Sequence, residues 1–332
     1  MFKSLKKNPI FFTLPFAAIA TIIATIDSAQ SVQAFDLGAA ENYNAFILQN
    51  MNEHNTDAEG RIAVGGNATL TDYGIGNVLT NSNGTDNRLV VGGNLTYNGG
   101  QVFGGDVVVG GTVNASVYFN CSPNCAVKSG QPINFSTATQ EYDTLSQSLG
   151  AIVATGTTQY QYGGIELQGN NSSSLDVFTI NGSEFSSSSY LNLNNIGSNA
   201  TVLLNITGNN VNIQNFGLNL NGVNKQDILF NFENATQLTT SSFSFEGSVL
   251  APFANFSFSN GNLEGTLIAN SLSGTGELHN YAFQGNLPVG VNTPQPTKEV
   301  PEPSNILGLF ILGTLSGFPY CSRILSRLVS KV

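Results

Sequence analysis

Four residues near the end of the body have types and spacing that could do chemistry. Glu277 and His279 stand two apart, so on a strand they share one face, where a carboxylate and an imidazole could ligate a metal ion or pass a proton. Glu246 and Glu264 open two matching phrases, Glu246-Gly-Ser-Val-Leu-Ala251 and Glu264-Gly-Thr-Leu-Ile-Ala269. If each phrase is one turn of a stacked fold, the two carboxylates sit about 4.8 Å apart, where like charges repel unless they are solvated or bridged by a cation such as calcium. The plainer reading of all four is that they hydrogen-bond the last coils. Besides His279 only His54 could serve as a histidine base, and no nucleophile elbow, paired-His metal motif or phosphate-binding loop occurs. The sequence therefore offers no catalytic residue and no cofactor other than possible calcium.

Cys121-Ser-Pro-Asn-Cys125 is the other reactive pair. In an oxidising compartment these thiols close a small disulfide loop, whereas a zinc site would need a second Cys or His pair nearby, which is absent from the sequence. Cys321 lies far away in the tail.

The elements that position these groups follow from the repeat. The offset between the two phrases returns upstream, where Arg88-Leu-Val-Val-Gly-Gly-Asn94 is answered by Asp106-Val-Val-Val-Gly-Gly-Thr112. Short apolar runs at such a period predict a mainly β fold, a β-solenoid of about 18 residues per coil in which each coil stacks on the last and only stacking buries a core. The pairs Gly65-Gly66, Gly92-Gly93 and Gly110-Gly111 mark coil corners, where glycine takes positive φ without a Cβ penalty. Leu37 to Met51 reads as a short helix capping the first coil. Ile133, Phe135, Ala138, Tyr142, Leu145, Leu149 and Ile152 recur at three- and four-residue steps. That spacing predicts a flanking helix of about four turns capped by Asn134 or Ser136. Ile165 to Leu220 returns to short alternating runs, with Ser172–Ser174 and Ser186–Ser189 as loops. Phe243, Phe245, Phe256 and Phe258 stand at strand spacing and should stack inside.

Composition narrows the partners. Charged residues are 10% of the 332, the net charge is −10, and six of the 11 basic residues lie in the terminal segments. A body so poor in Lys and Arg excludes nucleic acid as a partner, because displacing counterions from phosphates needs clustered cations. Its solubility rests on Asn, Ser, Thr and Gly. Asn-x-Ser/Thr triplets such as Asn67-Ala-Thr and Asn94-Leu-Thr are glycan acceptors in a eukaryotic secreted chain and otherwise chance.

Both termini read as addresses. Lys3, Lys6 and Lys7 precede an apolar run from Ile10 to Ile26, and Val32-Gln33-Ala34 fits a cleavage site, so residues 1–34 form a signal peptide. A body at 35–287 is followed by a Pro-rich linker at 288–303 and a hydrophobic and basic segment at 304–332. At the end of the linker Val300-Pro301-Glu302-Pro303 precedes an apolar run, Ile306 to Tyr320, and then Arg323, Arg327 and Lys331. This order resembles the PEP-CTERM sorting signal of bacterial exported proteins. The resemblance implies transient membrane anchoring, processing by an exosortase and release to the cell surface; Pro319 and the long amphipathic basic end depart from the pattern.

The body is similar to the choice-of-anchor A family. The matching residues are Ala45-Phe-Ile-Leu48 and Asp57-Ala-Glu-Gly-Arg-Ile-Ala-Val-Gly-Gly-Asn67 at the front, and Gly247-Ser-Val-Leu-Ala-Pro252, Asn260-Gly-Asn-Leu-Glu-Gly265 and Gly276-Glu-Leu-His-Asn-Tyr281 at the back. That resemblance implies an exported surface or matrix domain with a β-helical body and carries over no catalytic residue. Two principal function classes follow. The first is a non-enzymatic structural or adhesive protein whose Asn, Ser and Thr flank meets exopolysaccharide or surface glycans. The second is a polysaccharide lyase or hydrolase, which needs grouped acids and bases that this body disperses. Ice binding ranks below both, because no regular Thr-x-Thr array falls on successive coils.

Overall fold

A computed structural model describes residues 32–34 and 37–288. The leader before Val32, most of the linker and the sorting segment, with Val300, Pro301, Glu302, Pro303, Arg323 and Arg327, lie outside the described residues.

The apolar runs are too short for helices and end at Gly, Asn or Asp, and they form a β-solenoid with three faces. On the first, the helix face, parallel strands such as Ala45–Ile47, Ile62–Val64 and Asp106–Val109 are buried on both sides. Continuous apolar runs are what a sheet covered on both faces requires. On the second, the flat face, strands alternate buried and exposed residues, as in the BeBe start of Met51–Ala58 and Ala68–Ile75. The third face continues those strands beyond a corner residue in the left-handed region: Asn55, Asp72 and Gly99 in three stacked coils, and Asn215, Ser242 and Asn260 in three others. Asn and Asp tolerate that conformation, and Gly takes it freely.

The Gly-Gly pairs also sit at corners, but for another reason than positive φ, which none of the six adopts. A Cβ on Gly65 would lie 2.3 Å from the Leu48 carbonyl oxygen, one on Gly92 2.4 Å from that of Gly65, and one on Gly110 2.5 Å from that of Gly92. Close stacking of backbone on backbone excludes the side chain. Beside them Asn50, Asn67 and Asn94 form a ladder, each side-chain oxygen accepting the backbone N–H of the next coil's Asn67, Asn94 and Thr112 at 2.8 Å.

The coils do not stack in chain order. Along the helix face the strands run Val127–Ser129, Asp106–Val109, Asn87–Val91, Ile62–Val64 and Ala45–Ile47. The next neighbour is Leu267–Gly274, from the end of the body, followed by Ser248–Ser259, Ile228–Phe232, Thr201–Thr207 and Leu175–Asn181. First and last coils thus meet in mid-stack, with Ala45 opposite Leu267 and Met51 opposite Leu272. Nearby, Val32–Ala34, within the segment read as signal peptide, pairs antiparallel with Asn286–Pro288. Coil length is not constant: Val107 stacks on Leu89, but the coil that places Leu89 on Ile62 is half as long again.

Helix α1, Phe135–Gly150, carries the chain from one end of the stack to the other along the helix face. Asn134 caps it by accepting from the Thr137 N–H at 3.1 Å, as its sequence predicts. Ala138, Tyr142, Leu145 and Leu149 bury against Phe46, Val90, Leu203, Leu229, Leu250 and Ile268, a second core outside the solenoid. The first core fills the interior, where Phe243 lies 4.6 Å from Phe245 and Phe256 stacks on Phe258 at 5.1 Å.

Two further expectations are corrected. The helix predicted over Leu37 to Met51 is a single 3-10 turn, Gly38–Ala40, followed by strands Ala45–Ile47 and Met51–Ala58. Ala45, Phe46 and Ile47 are all buried because Phe46 faces α1 while its neighbours face the interior, and a run without alternation imitates helical spacing. Nor does that turn cap an end; it packs beside α1, where Tyr142 joins Leu37 and Ala40. The loop expected at Ser186–Ser189 begins inside a second helix, α2, Gly182–Ser187. It replaces a flat-face strand in one terminal coil and buries Phe185.

Candidate functional site

The unequal coils bring one row of side chains into line on the flat face. Asn114, Thr96, Thr69, Asn52, Ser273, Ser257, Thr239 and Asn212 follow one another on eight hydrogen-bonded parallel strands. All of them point outward and are exposed or half-buried. At a strand spacing of about 4.8 Å the row is roughly 34 Å long. A second row on the same strands includes Ser116, Asn98, Thr71 and His54. Hydroxyl and amide groups both donate and accept hydrogen bonds, so a flat uncharged array of them can meet many hydroxyls of an extended surface at once. Sequence reasoning expected a flank of Asn, Ser and Thr but did not place it, because Asn52, Thr69, Thr96 and Asn114 follow one another at unequal steps along the chain, so no single period reveals them.

The residues singled out from the sequence gather on the third face. Leu278 pairs with Ala58 across the junction of first and last coils, and Asn262–Glu264 pairs with Glu277–His279. Phe245 bridges to Leu263, which puts Glu246 beside Glu264 in the expected register. Glu264 already has partners: Lys225 Nζ lies 2.6 Å from one carboxylate oxygen and His279 Nδ1 2.6 Å from the other. A cation between Glu246 and Glu264 would compete with them for the Glu264 oxygens. Lys225 also lies over the Tyr281 ring, 3.5 Å from its centroid. His279 Nε2 approaches Glu277 at 3.2 Å, so Glu277 and His279 do meet, and both ring nitrogens are engaged.

Charge follows from these contacts. Burial works against the Glu264 carboxylate, but hydrogen bonds and charge from Lys225 and His279 outweigh it and hold the group below the usual range. Burial likewise opposes the His279 cation, and Glu264 and Glu277 override it, raising the imidazole. Beyond them Asp57 is pushed up by burial and by a hydrogen bond and charge repulsion from Glu277, with Glu59 adding to the repulsion. These contacts tie the last coil to the first. Among the described residues no group of three or more His, Cys, Asp or Glu is arranged to hold a metal ion.

Cys121 and Cys125 are joined in a disulfide, their Cα atoms 5.5 Å apart, closing a loop at one end of the stack.

Fold and flat face together define a β-solenoid built to present a surface. The chain belongs to the family named "Putative Ice-binding-like adhesive domain", whose model matches residues 36–280. No curated protein matches the sequence. Solved structures to which it is similar include an ice binding protein from an Antarctic Biological Consortium, at 15% identity and a TM-score of 0.38 over 78% of this chain and 94% of that one. Another is the ice-binding protein of the Antarctic ascomycete Antarctomyces psychrotrophicus, at 18% identity and 0.31 over 76% and 99%. A third is the DUF3494 domain of Shewanella frigidimarina ice-binding protein_1, at 13% identity and 0.38 over 77% and 99%.

Proposed function

We propose that this chain is an exported, non-enzymatic adhesion protein whose flat face docks on hydroxyl-rich polymer of the cell surface or extracellular matrix. The observation that carries the reading is the uncharged row from Asn114 to Asn212, aligned on eight strands. Membership of an adhesive-domain family supports it. Export by the leader, sorting by an exosortase acting on the Val300–Pro303 motif, and transient anchoring belong to the same proposal.

Retention on insoluble neutral polysaccharide tests it. Thr69→Glu together with Thr96→Glu puts two charges in mid-row and is expected to weaken retention at least tenfold, with no new reducing or unsaturated ends released by either protein. Unchanged retention by the double variant would overturn the docking face, and released ends would restore the lyase or hydrolase reading. A second reading, ice as the docked surface, is favoured by the same lack of charge and by Thr69 and Thr71 forming a Thr-x-Thr pair on one strand. Thermal hysteresis in the wild type, lost in the double variant, would select it.

A further inference from the structure

A cavity on another part of the molecule has the chemistry of a ligand site. It lies where the Gly38–Ala40 turn, the start of the helix face and the segment leading into α1 converge, and its volume is about 460 Å³. Pockets of several hundred cubic ångströms hold small ligands. Its lining includes Arg61 and Asp86, whose guanidinium and carboxylate meet at 2.5 Å. Behind them Arg88, fully buried, reaches the same Asp86 oxygen at 2.5 Å and spends its other donors on the carbonyls of Phe103 and Thr80. Among the described residues the chain has only four Lys and Arg side chains, Arg61, Arg88, Lys128 and Lys225, and two of them converge here.

The two arginines have different tasks. Arg88 is enclosed and fixes the segment around residues 80–103, whereas the Arg61 side chain is 29% exposed and bonds Asp86 through a single nitrogen, Nη2. Two guanidiniums are set against Asp86 and the exposed Glu41, so the charges around the cavity balance, and among the described residues Arg61 is the one cation that lines it. Tyr43, packed edge-on against Phe46 at 5.8 Å, lines the cavity as an aromatic wall, and the amides of Asn42 and Asn87 also line it. Glu41 is exposed at the rim. A planar guanidinium with unspent N–H groups suits a carboxylate, amides suit hydroxyls, and an aromatic wall suits the apolar side of a sugar ring.

We propose that this cavity binds the carboxylate-bearing sugar of an acidic polysaccharide, a hexuronate, with Arg61 engaging the carboxylate. The proposal goes beyond the adhesion reading: it concerns a different face and an acidic rather than a neutral sugar, so the two can fail separately.

Tri-galacturonate, with neutral maltotriose as control, tests it by calorimetric titration of the full chain. The wild type is expected to bind tri-galacturonate with an affinity that falls as salt rises and to ignore maltotriose. Arg61→Gln is expected to weaken binding at least tenfold. Because that change also breaks the pair with Asp86, the exposed rim supplies a second variant: Glu41→Gln removes a repulsive charge and is expected to tighten binding about threefold. Thr69→Glu with Thr96→Glu is expected to leave tri-galacturonate binding unchanged, which separates this site from the flat face. Absence of wild-type binding at millimolar ligand, equal binding of maltotriose, or weaker binding in Glu41→Gln would overturn the proposal.

Discussion

Glu53 occupies a costly position. It points into the interior beside the junction, 1% exposed, and neither carboxylate oxygen has a hydrogen-bond partner; the hydroxyl of neighbouring Tyr73 also lacks one. Burial pushes the carboxyl up from 4.5 to about 9, so the folded chain holds it neutral. Between those values the folded state binds a proton that the unfolded state has released. The stability present below about pH 4.5 is therefore lost as pH rises toward 9. Glu53→Gln, neutral at every pH, is expected to match the wild type near pH 4.5 and to melt several degrees higher at pH 8, at roughly 2–4 °C per kcal/mol for a domain of this size. Melting curves from pH 4 to 9 that stay parallel for the two proteins would refute this. At this scale the sequence was partly legible. Equal spacing placed Glu246 beside Glu264, and strand parity placed Glu277 and His279 on one face, but Lys225, 39 positions before Glu264, came into view only with the fold. So did Arg61 and Asp86, 25 apart across a long coil.

At the level of elements, α1 does two jobs, carrying the chain back along the stack and covering one face. Its contacts are both apolar and polar. Tyr142 Oη donates to the Leu37 carbonyl and accepts the Ala40 N–H, both at 2.7 Å, and Asn231 donates to the Ser146 carbonyl at 2.9 Å while accepting from that residue's hydroxyl at 2.6 Å. These bonds pin the helix in register where apolar packing alone would let it slide. Tyr142→Phe removes both bonds and leaves the Ala40 N–H and the Leu37 carbonyl only the 3.2 Å bond they make to each other, so it is expected to destabilise by about 0.5–1.5 kcal/mol; chemical denaturation checks it, and a change within about 0.3 kcal/mol would show that water replaces the hydroxyl. The helix was legible because its apolar stripe and Asn134 cap are local. Ala45–Ile47 misled because burial on both sides erases alternation, and α2 was missed because six residues are too few to show a period.

For the whole molecule, the junction of first and last coils makes the solenoid continuous through the point where the described chain begins and ends. The antiparallel pairing of Val32–Ala34 with Asn286–Pro288 brings those ends together. A circular permutant joining them by a short linker and opening at the exposed Asn221-Gly222 turn is expected to unfold cooperatively within about 5 °C of the parent. Opening it instead between Ala269 and Asn270, at the junction itself, is expected to lower the melting temperature far more; equal losses at both sites would mean that the junction is no stronger than a surface turn. The amino-acid sequence by itself determined the solenoid, the flanking helix, the disulfide pair and the shortage of cations, because each depends on neighbours within about one coil. Tertiary structure alone decided the order of the coils, the uncharged row on the flat face and the Arg61 cavity. Those depend on register between strands whose coils differ in length, and register is fixed only when every coil has found its neighbour and buried its share of the core.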